Sequence, residues 1–144
     1  LSTFGIPLRR NVGRSYRRGL ELEGSWLPVA AVSLRADLAL NRSRIAAFTD
    51  ETRTDVEGNP VATTYRDVPP LLTPAVTSNH SLTWRALPAL ALTAQGRFVG
   101  ESYLGNTGDD RFVTPAFWLL DAGATLTLRG QELLVWVNNA GNEA

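Results

Sequence analysis

The sequence predicts an all-β fold: an antiparallel up-and-down meander of about six long strands, part of a transmembrane β-barrel. Three observations carry this. Apolar and polar residues alternate with a period of two over five separate stretches. The stretches are long, whereas a strand in a soluble protein averages about 5–6 residues and one crossing a bilayer needs about 9–11. The connections alternate between tight turns and long polar loops, as they do in membrane barrels.

The first stretch, Gly19 to Trp26, sets Leu20, Leu22 and Trp26 against Gly19, Glu21, Glu23 and Ser25. The second is the clearest. From Val32 to Asn41, Val32, Leu34, Ala36, Leu38 and Leu40 share one parity, and Ser33, Arg35, Asp37, Ala39 and Asn41 the other. Successive strand side chains point to opposite faces, so one face is apolar and the other wet and charged. From Ala75 to Arg85, Val76, Leu82 and Trp84 oppose Thr77, Asn79, Ser81, Thr83 and Arg85, with Ser78 and His80 interrupting the apolar row. From Leu90 to Phe98, Leu90, Leu92, Ala94 and Phe98 oppose Thr93, Gln95 and Arg97. From Trp118 to Leu128, Trp118, Leu120, Ala122, Ala124, Leu126 and Leu128 oppose Asp121, Gly123, Thr125 and Thr127. A sixth candidate, Glu132 to Val137, is apolar on both parities and leaves its faces open. Helical spacing fails, because Glu21, Asp37 and Arg97 would break any apolar stripe.

Leu27-Pro28-Val29-Ala30, Ala86-Leu87-Pro88-Ala89 and Arg129-Gly130-Gln131 are short connections in which Pro or Gly supplies the turn. Ala46 to Leu72 and Leu104 to Pro115 are long and polar, and are read as loops on one side of a membrane. Strands are therefore expected near residues 14–27, 30–46, 74–86, 89–103, 116–129 and 132–139, paired as consecutive hairpins.

Composition narrows the function. The 144 residues balance 14 basic against 14 acidic side chains, so no basic stripe marks a nucleic-acid partner. All the basic residues are Arg. With no Cys there is neither a disulfide framework nor thiol chemistry. No apolar run of about eighteen residues offers a membrane helix. Position 1 is not Met, and Leu1 to Arg10 carries Arg9 and Arg10 after its apolar residues, unlike an export signal. Six strands also fall short of the eight at which membrane barrels begin. Residues 1–144 are therefore expected to be a portion of a longer exported barrel.

No catalytic, cofactor-binding or metal-binding residue emerges, and an enzyme is not expected. His80 is the single histidine, has no Cys beside it, and lies on the apolar parity; a metal site needs several ligands. No G-x-S-x-G elbow exists, and Ser81 lies on the face opposite His80. Acidic clusters at Asp50-Glu51, Asp55-Val56-Glu57 and Asp109-Asp110 match no twelve-residue calcium loop and read as solvated loop charge. Gly96 and Gly100 have helix-dimerisation spacing, which has no meaning on a strand. Asn41-Arg42-Ser43 and Asn79-His80-Ser81 match glycosylation sequons by chance.

The aromatic residues read as interfacial belts. Trp26 and Trp84 precede short turns, while Tyr16, Phe48, Tyr103 and Trp118 lie near long-loop ends. Glu21, Glu23, Arg35, Asp37, Gln95, Arg97 and Asp121 are expected to face the barrel interior and to form cross-strand ion pairs. Ligand contacts are expected on the loops, with no residue singled out.

Several short motifs, in order, resemble the C-terminal part of the β-barrel of a TonB-dependent outer-membrane receptor. Asn11-Val12-Gly13 followed by Arg18-Gly19-Leu20-Glu21-Leu22-Glu23 resembles that family's loop end and strand opening. Pro69-Pro70-Leu71-Leu72-Thr73-Pro74 is similar to its loop-to-strand transition. Gly96-Arg97-Phe98-Val99-Gly100, then Tyr103-Leu104-Gly105-Asn106-Thr107, resembles a G-R-Y-V-G … Y-L-D-N-T box, with Gly105 where Asp is usual. Val137-Asn138-Asn139-Ala140-Gly141-Asn142 resembles V-x-N-L-x-N, with Ala140 in place of Leu.

The resemblance implies a barrel of about 22 strands around an N-terminal plug. It implies a bacterial outer-membrane location and import of siderophore-iron, cobalamin or another scarce nutrient with energy from TonB, ExbB and ExbD. The partners so implied are the lipid bilayer, the plug, the remaining strands and the TonB–ExbB–ExbD complex. The plug domain and last strand are missing from residues 1–144 on this reading. The rival is a soluble lipocalin-like barrel or sandwich binding module, with the apolar parity turned inward. The orientation of Leu34, Leu38, Leu92, Leu120 and Leu126 separates the two.

Overall fold

Two-residue turns at Ala30-Ala31, Pro88-Ala89 and Arg129-Gly130 close three hairpins. At the third, Arg129 and Gly130 both take positive φ (52° and 80°), the turn whose twist matches that of the flanking strands. The computed structural model describes residues 13–142; Asn11, Val12 and the segment Leu1 to Arg10 lie outside them. Nine strands follow in order: β1 (Ser15–Val29), β2 (Val32–Thr54), β3 (Pro60–Val68), β4 (Val76–Leu87), β5 (Leu90–Val99), β6 (Ser102–Tyr103), β7 (Val113–Thr114), β8 (Phe117–Leu128) and β9 (Gln131–Val137).

The main sheet runs β1-β2-β4-β5-β8-β9, with β3 paired to β2, and β6 pairs β7 separately. The meander is as expected, and its six long strands match the expected segments in order. The long connections do not match. Ala46 to Leu72 is not a loop throughout: β2 continues to Thr54 and turns back as β3, pairing Phe48 with Tyr65 and Thr49 with Thr64. The fourth expected segment is also split, because β5 ends at Val99 and Ser102–Tyr103 pairs with Val113–Thr114 instead. Phe48 accordingly lies within a strand and not at its end.

Register preserves parity across the sheet. One row reads Leu34, Leu82, Ala94, Ala122 and Val137, each residue opposite the next. Another reads Val32, Trp84, Leu92, Ala124 and Val135. The intervening rows are polar: Ser33, Thr83 and Thr93, then Arg35, Ser81, Gln95 and Asp121. A one-residue slip would exchange the faces, so the two-residue turns and the alternation specify the same pairing. β9 thereby gains its faces. Leu133, Val135 and Val137 join the apolar rows, while Leu134 and Trp136 join the polar face opposite Thr125 and Gly123.

The chain divides into two compact units. One comprises Gly19–Asn41, Pro74–Glu101 and the residues from Pro115 onward; the other comprises those up to Arg18, Arg42–Thr73 and Ser102–Thr114. In the first, none of Leu34, Leu38, Leu92, Leu120 and Leu126 is buried; Leu92 is 37 % and Leu120 48 % exposed. In the second, Ile45 (2 % exposed) faces Val68 (7 %) across the β2–β3 ladder. These two are the buried apolar side chains among the described residues. The apolar rows therefore do not close into a core. Among the described residues no helix is long and apolar enough to cross a membrane, which says nothing of crossing by strands.

Candidate functional site

The polar face of the first unit carries a concavity of about 510 Å³, lined by Arg35, Asp37, Asn79, Gln95, Arg97 and Asp121 among others. Alternation on β2, β4, β5 and β8 places them there. The Asn79 amide donates to Asp37 Oδ1 at 2.8 Å, and Arg97 Nε donates to Asn79 Oδ1 at 3.2 Å. Asp37 and Arg97 are thus joined through an amide bridge and not by a direct ion pair, because register sets Asn79 between them. Asp121 Oδ1 accepts from the Asn139 backbone N–H at 2.8 Å. Trp136, on the same face, lies where a side chain at Gly123 would be, and its indole N–H donates to Asn138 at 2.8 Å. The Asn139 backbone N–H thus ties the last motif to β8, while Asn138 holds the Trp136 indole on its own strand, roles that spacing alone does not reveal.

The opposite face of this unit holds an apolar concavity of about 1,120 Å³ lined by Leu22, Trp26, Leu34, Leu38, Leu82 and Trp118 among others. His80 sits on this face, as parity requires. It shares a 3.1 Å hydrogen bond with Ser78 and stacks on Trp118 at 5.7 Å. Ser81 is opposite Arg35 and Gln95 on the polar face, away from His80. No cluster of three or more His, Cys, Asp or Glu that could hold a metal occurs among the described residues.

The second unit is made of the long connections. At the β2–β3 tip, Asp55 Oδ1 accepts from the N–H groups of Glu57 (2.9 Å) and Asn59 (2.8 Å), and Gly58 supplies a positive φ of 86°. These bonds favour the charged carboxylate and hold Asp55 below its ordinary value, with the Asn59 backbone N–H the largest cause. Asn106, from the Tyr103–Thr107 motif, accepts the Leu71 N–H at 2.8 Å, and Leu72 N–H donates to the Tyr103 carbonyl at 2.8 Å. The Pro69–Pro74 and Tyr103–Thr107 motifs, far apart in sequence, are therefore bonded to each other. Tyr103 donates to Asp110 at 3.0 Å, and Arg111 pairs with Asp109 at 2.6 Å, which raises the Arg111 value. Asp55 and Asp109 thus accept from the backbone of their own turns, and Asp110 accepts from the Tyr103 hydroxyl.

A wide meander with one apolar and one polar face, tight turns alternating with long connections, and no closed core defines a section of β-barrel wall. A model of the TonB dependent receptor-like β-barrel family matches residues 2–140, and the chain belongs to that family. Among solved structures, the siderophore receptor PiuA from Acinetobacter baumannii superposes with a TM-score of 0.71 at 18 % identity. That match covers 90 % of this chain and 18 % of the PiuA chain, so the likeness is one of fold. No curated protein sequence matches the chain.

Proposed function

We propose that residues 1–144 form part of the barrel wall of an outer-membrane receptor that imports a scarce nutrient, siderophore-iron, cobalamin or similar, with TonB-supplied energy. The plug domain and last strand belong to other parts of that receptor. The apolar rows meet lipid, the polar rows face the lumen and plug, and the β2–β3 hairpin and the 100–116 connection reach the cell surface. The observation that carries this reading is the parity shared by five strands with an unburied apolar face, since a soluble barrel would bury that face. Family membership and the siderophore-receptor fold support it. Trp26 and Trp84, near the short turns, are placed for one interfacial belt, and Tyr16 and Trp118 for the other.

Deleting the parent gene in a Gram-negative host should abolish high-affinity uptake of one radiolabelled ferric siderophore or cobalamin. The same uptake should be lost when TonB is removed. Undiminished import of every such nutrient in the deletion strain would refute the transport role.

A further inference from the structure

Two large apolar side chains of β9 stand on the polar face of the first unit: Trp136 opposite Gly123 and Leu134 opposite Thr125. Leu134 is 62 % exposed, and the Trp136 ring lies over the backbone of Gly123, in the space a Cβ there would need. One face of the indole is taken up by β8, and Trp136 as a whole remains only half-buried. Covering a glycine needs no more than a ring. Here the ring is also held to one orientation, because its N–H donates to Asn138 Oδ1 at 2.8 Å.

Polar groups gather at the edge of that ring. Asp121 and Asn138 lie one step past the Ala122–Val137 pair. Asp121 Oδ1 accepts the Asn139 N–H, and Oδ2 remains to accept again. Asn138 gives its oxygen to the indole, which leaves its amide N–H groups to donate. Gln95, opposite Asp121, supplies a second amide, and Thr125 a hydroxyl. An indole face edged by a carboxylate and amides matches a ring with C–H bonds on one side and hydroxyls around its rim. The electron-rich face of the indole attracts C–H hydrogens, while adjacent donor and acceptor groups hold neighbouring hydroxyls. Asp121 repels a ring that carries its own negative charge, such as a catecholate, so the matching ring is neutral.

We propose that Trp136, Asp121 and Asn138 form a binding site for a neutral pyranose ring on the inner wall. Trp136 stacks on the C–H face of the sugar, and Asp121 and Asn138 hold neighbouring hydroxyls. This rests on the lumen orientation given under Proposed function and narrows the imported nutrient to one that carries a sugar.

The test titrates the whole receptor, in a sugar-free detergent, with neutral trimers of glucose, galactose, mannose and N-acetylglucosamine by calorimetry. At least one trimer should bind. Trp136→Ala should weaken that binding about tenfold, and Trp136→Phe, which keeps a stacking face, far less. Asp121→Asn should also weaken it about tenfold, through loss of a charged acceptor. Leu120→Ala, on the apolar face, should leave it unchanged. Folding is read separately from heat-modifiable gel mobility, and Asp121→Asn and Trp136→Phe carry the comparison where Trp136→Ala does not fold. Binding of no trimer, or binding indifferent to both Trp136 and Asp121, overturns the proposal and leaves Trp136 as a cover for Gly123. A receptor that imports a ferric siderophore or cobalamin yet binds no trimer refutes the sugar site alone. One that binds a trimer through Trp136, while its deletion strain imports every nutrient undiminished, refutes the transport role alone.

Discussion

Asn79 joins Asp37 to Arg97: its amide nitrogen donates to the carboxylate at 2.8 Å, and its amide oxygen accepts from the guanidinium at 3.2 Å. The three residues occupy one cross-strand row on β2, β4 and β5, so the bridge ties three strands with a single side chain. Asn79→Asp would remove the donor and set a second carboxylate opposite Asp37. The receptor refolded into lipid vesicles should lose about 1–2 kcal/mol in urea unfolding. Asn79→Asp with wild-type stability would show that the bridge is incidental.

Trp136 occupies the space above Gly123, where register places the two residues opposite each other. Gly123→Ala should displace the indole and break its bond to Asn138, at a cost of about 1–3 kcal/mol. Adding Trp136→Ala should recover most of that loss, since the clash then has no partner. A double variant whose two losses simply add would contradict the packing described here.

The β2–β3 tip should respond to acid. Asp55 is held below its ordinary carboxylate value of about 3.9 by N–H donors, so its stabilising contribution is complete above that pH. It is lost as pH falls through the lower, folded-state value. Hydrogen exchange at the Glu57 and Asn59 amides should be flat from about pH 7 to 5, once corrected for intrinsic rates, and lose protection below about pH 3.9. Asp55→Asn should abolish the transition. Protection that persists unchanged through strong acid would contradict the assignment.

The long strands and their turns were legible because an apolar face and a polar face impose a period of two. Where that asymmetry ends, so does the signal. The outer half of β2 and its partner β3 carry polar residues on both parities, among them Thr49, Asp50, Thr63 and Thr64. The β-branched and aromatic run Thr63-Thr64-Tyr65 and the Gly58-Asn59 turn mark that hairpin. β9 hid its faces because Trp136 fills the place left by Gly123, and only register shows this. The sequence marks Asp37 and Arg97 as interior charges without showing what joins them. The intervening residue on β4 is a matter of pairing, which neither strand shows by itself. The Asn106–Leu71 bond links motifs separated by 35 positions, and no local pattern encodes it.

The central claim is that the apolar parity meets lipid, and Leu38 and Asp37 test it as neighbours on one strand with opposite faces. Each is substituted in the whole receptor, and stability is read by refolding into lipid vesicles. Leu38→Arg puts a charge into hydrocarbon and should cost about 2–4 kcal/mol near the midplane. Asp37→Arg, in a wet lumen, should cost about 1 kcal/mol through its lost bond to Asn79. Leu38→Phe separates lipid from a packed core: lipid accommodates the added volume, whereas a core resists it at about 1–3 kcal/mol. The account predicts Leu38→Phe close to wild type and Leu38→Arg least stable. Leu38→Phe as damaging as Leu38→Arg would contradict it.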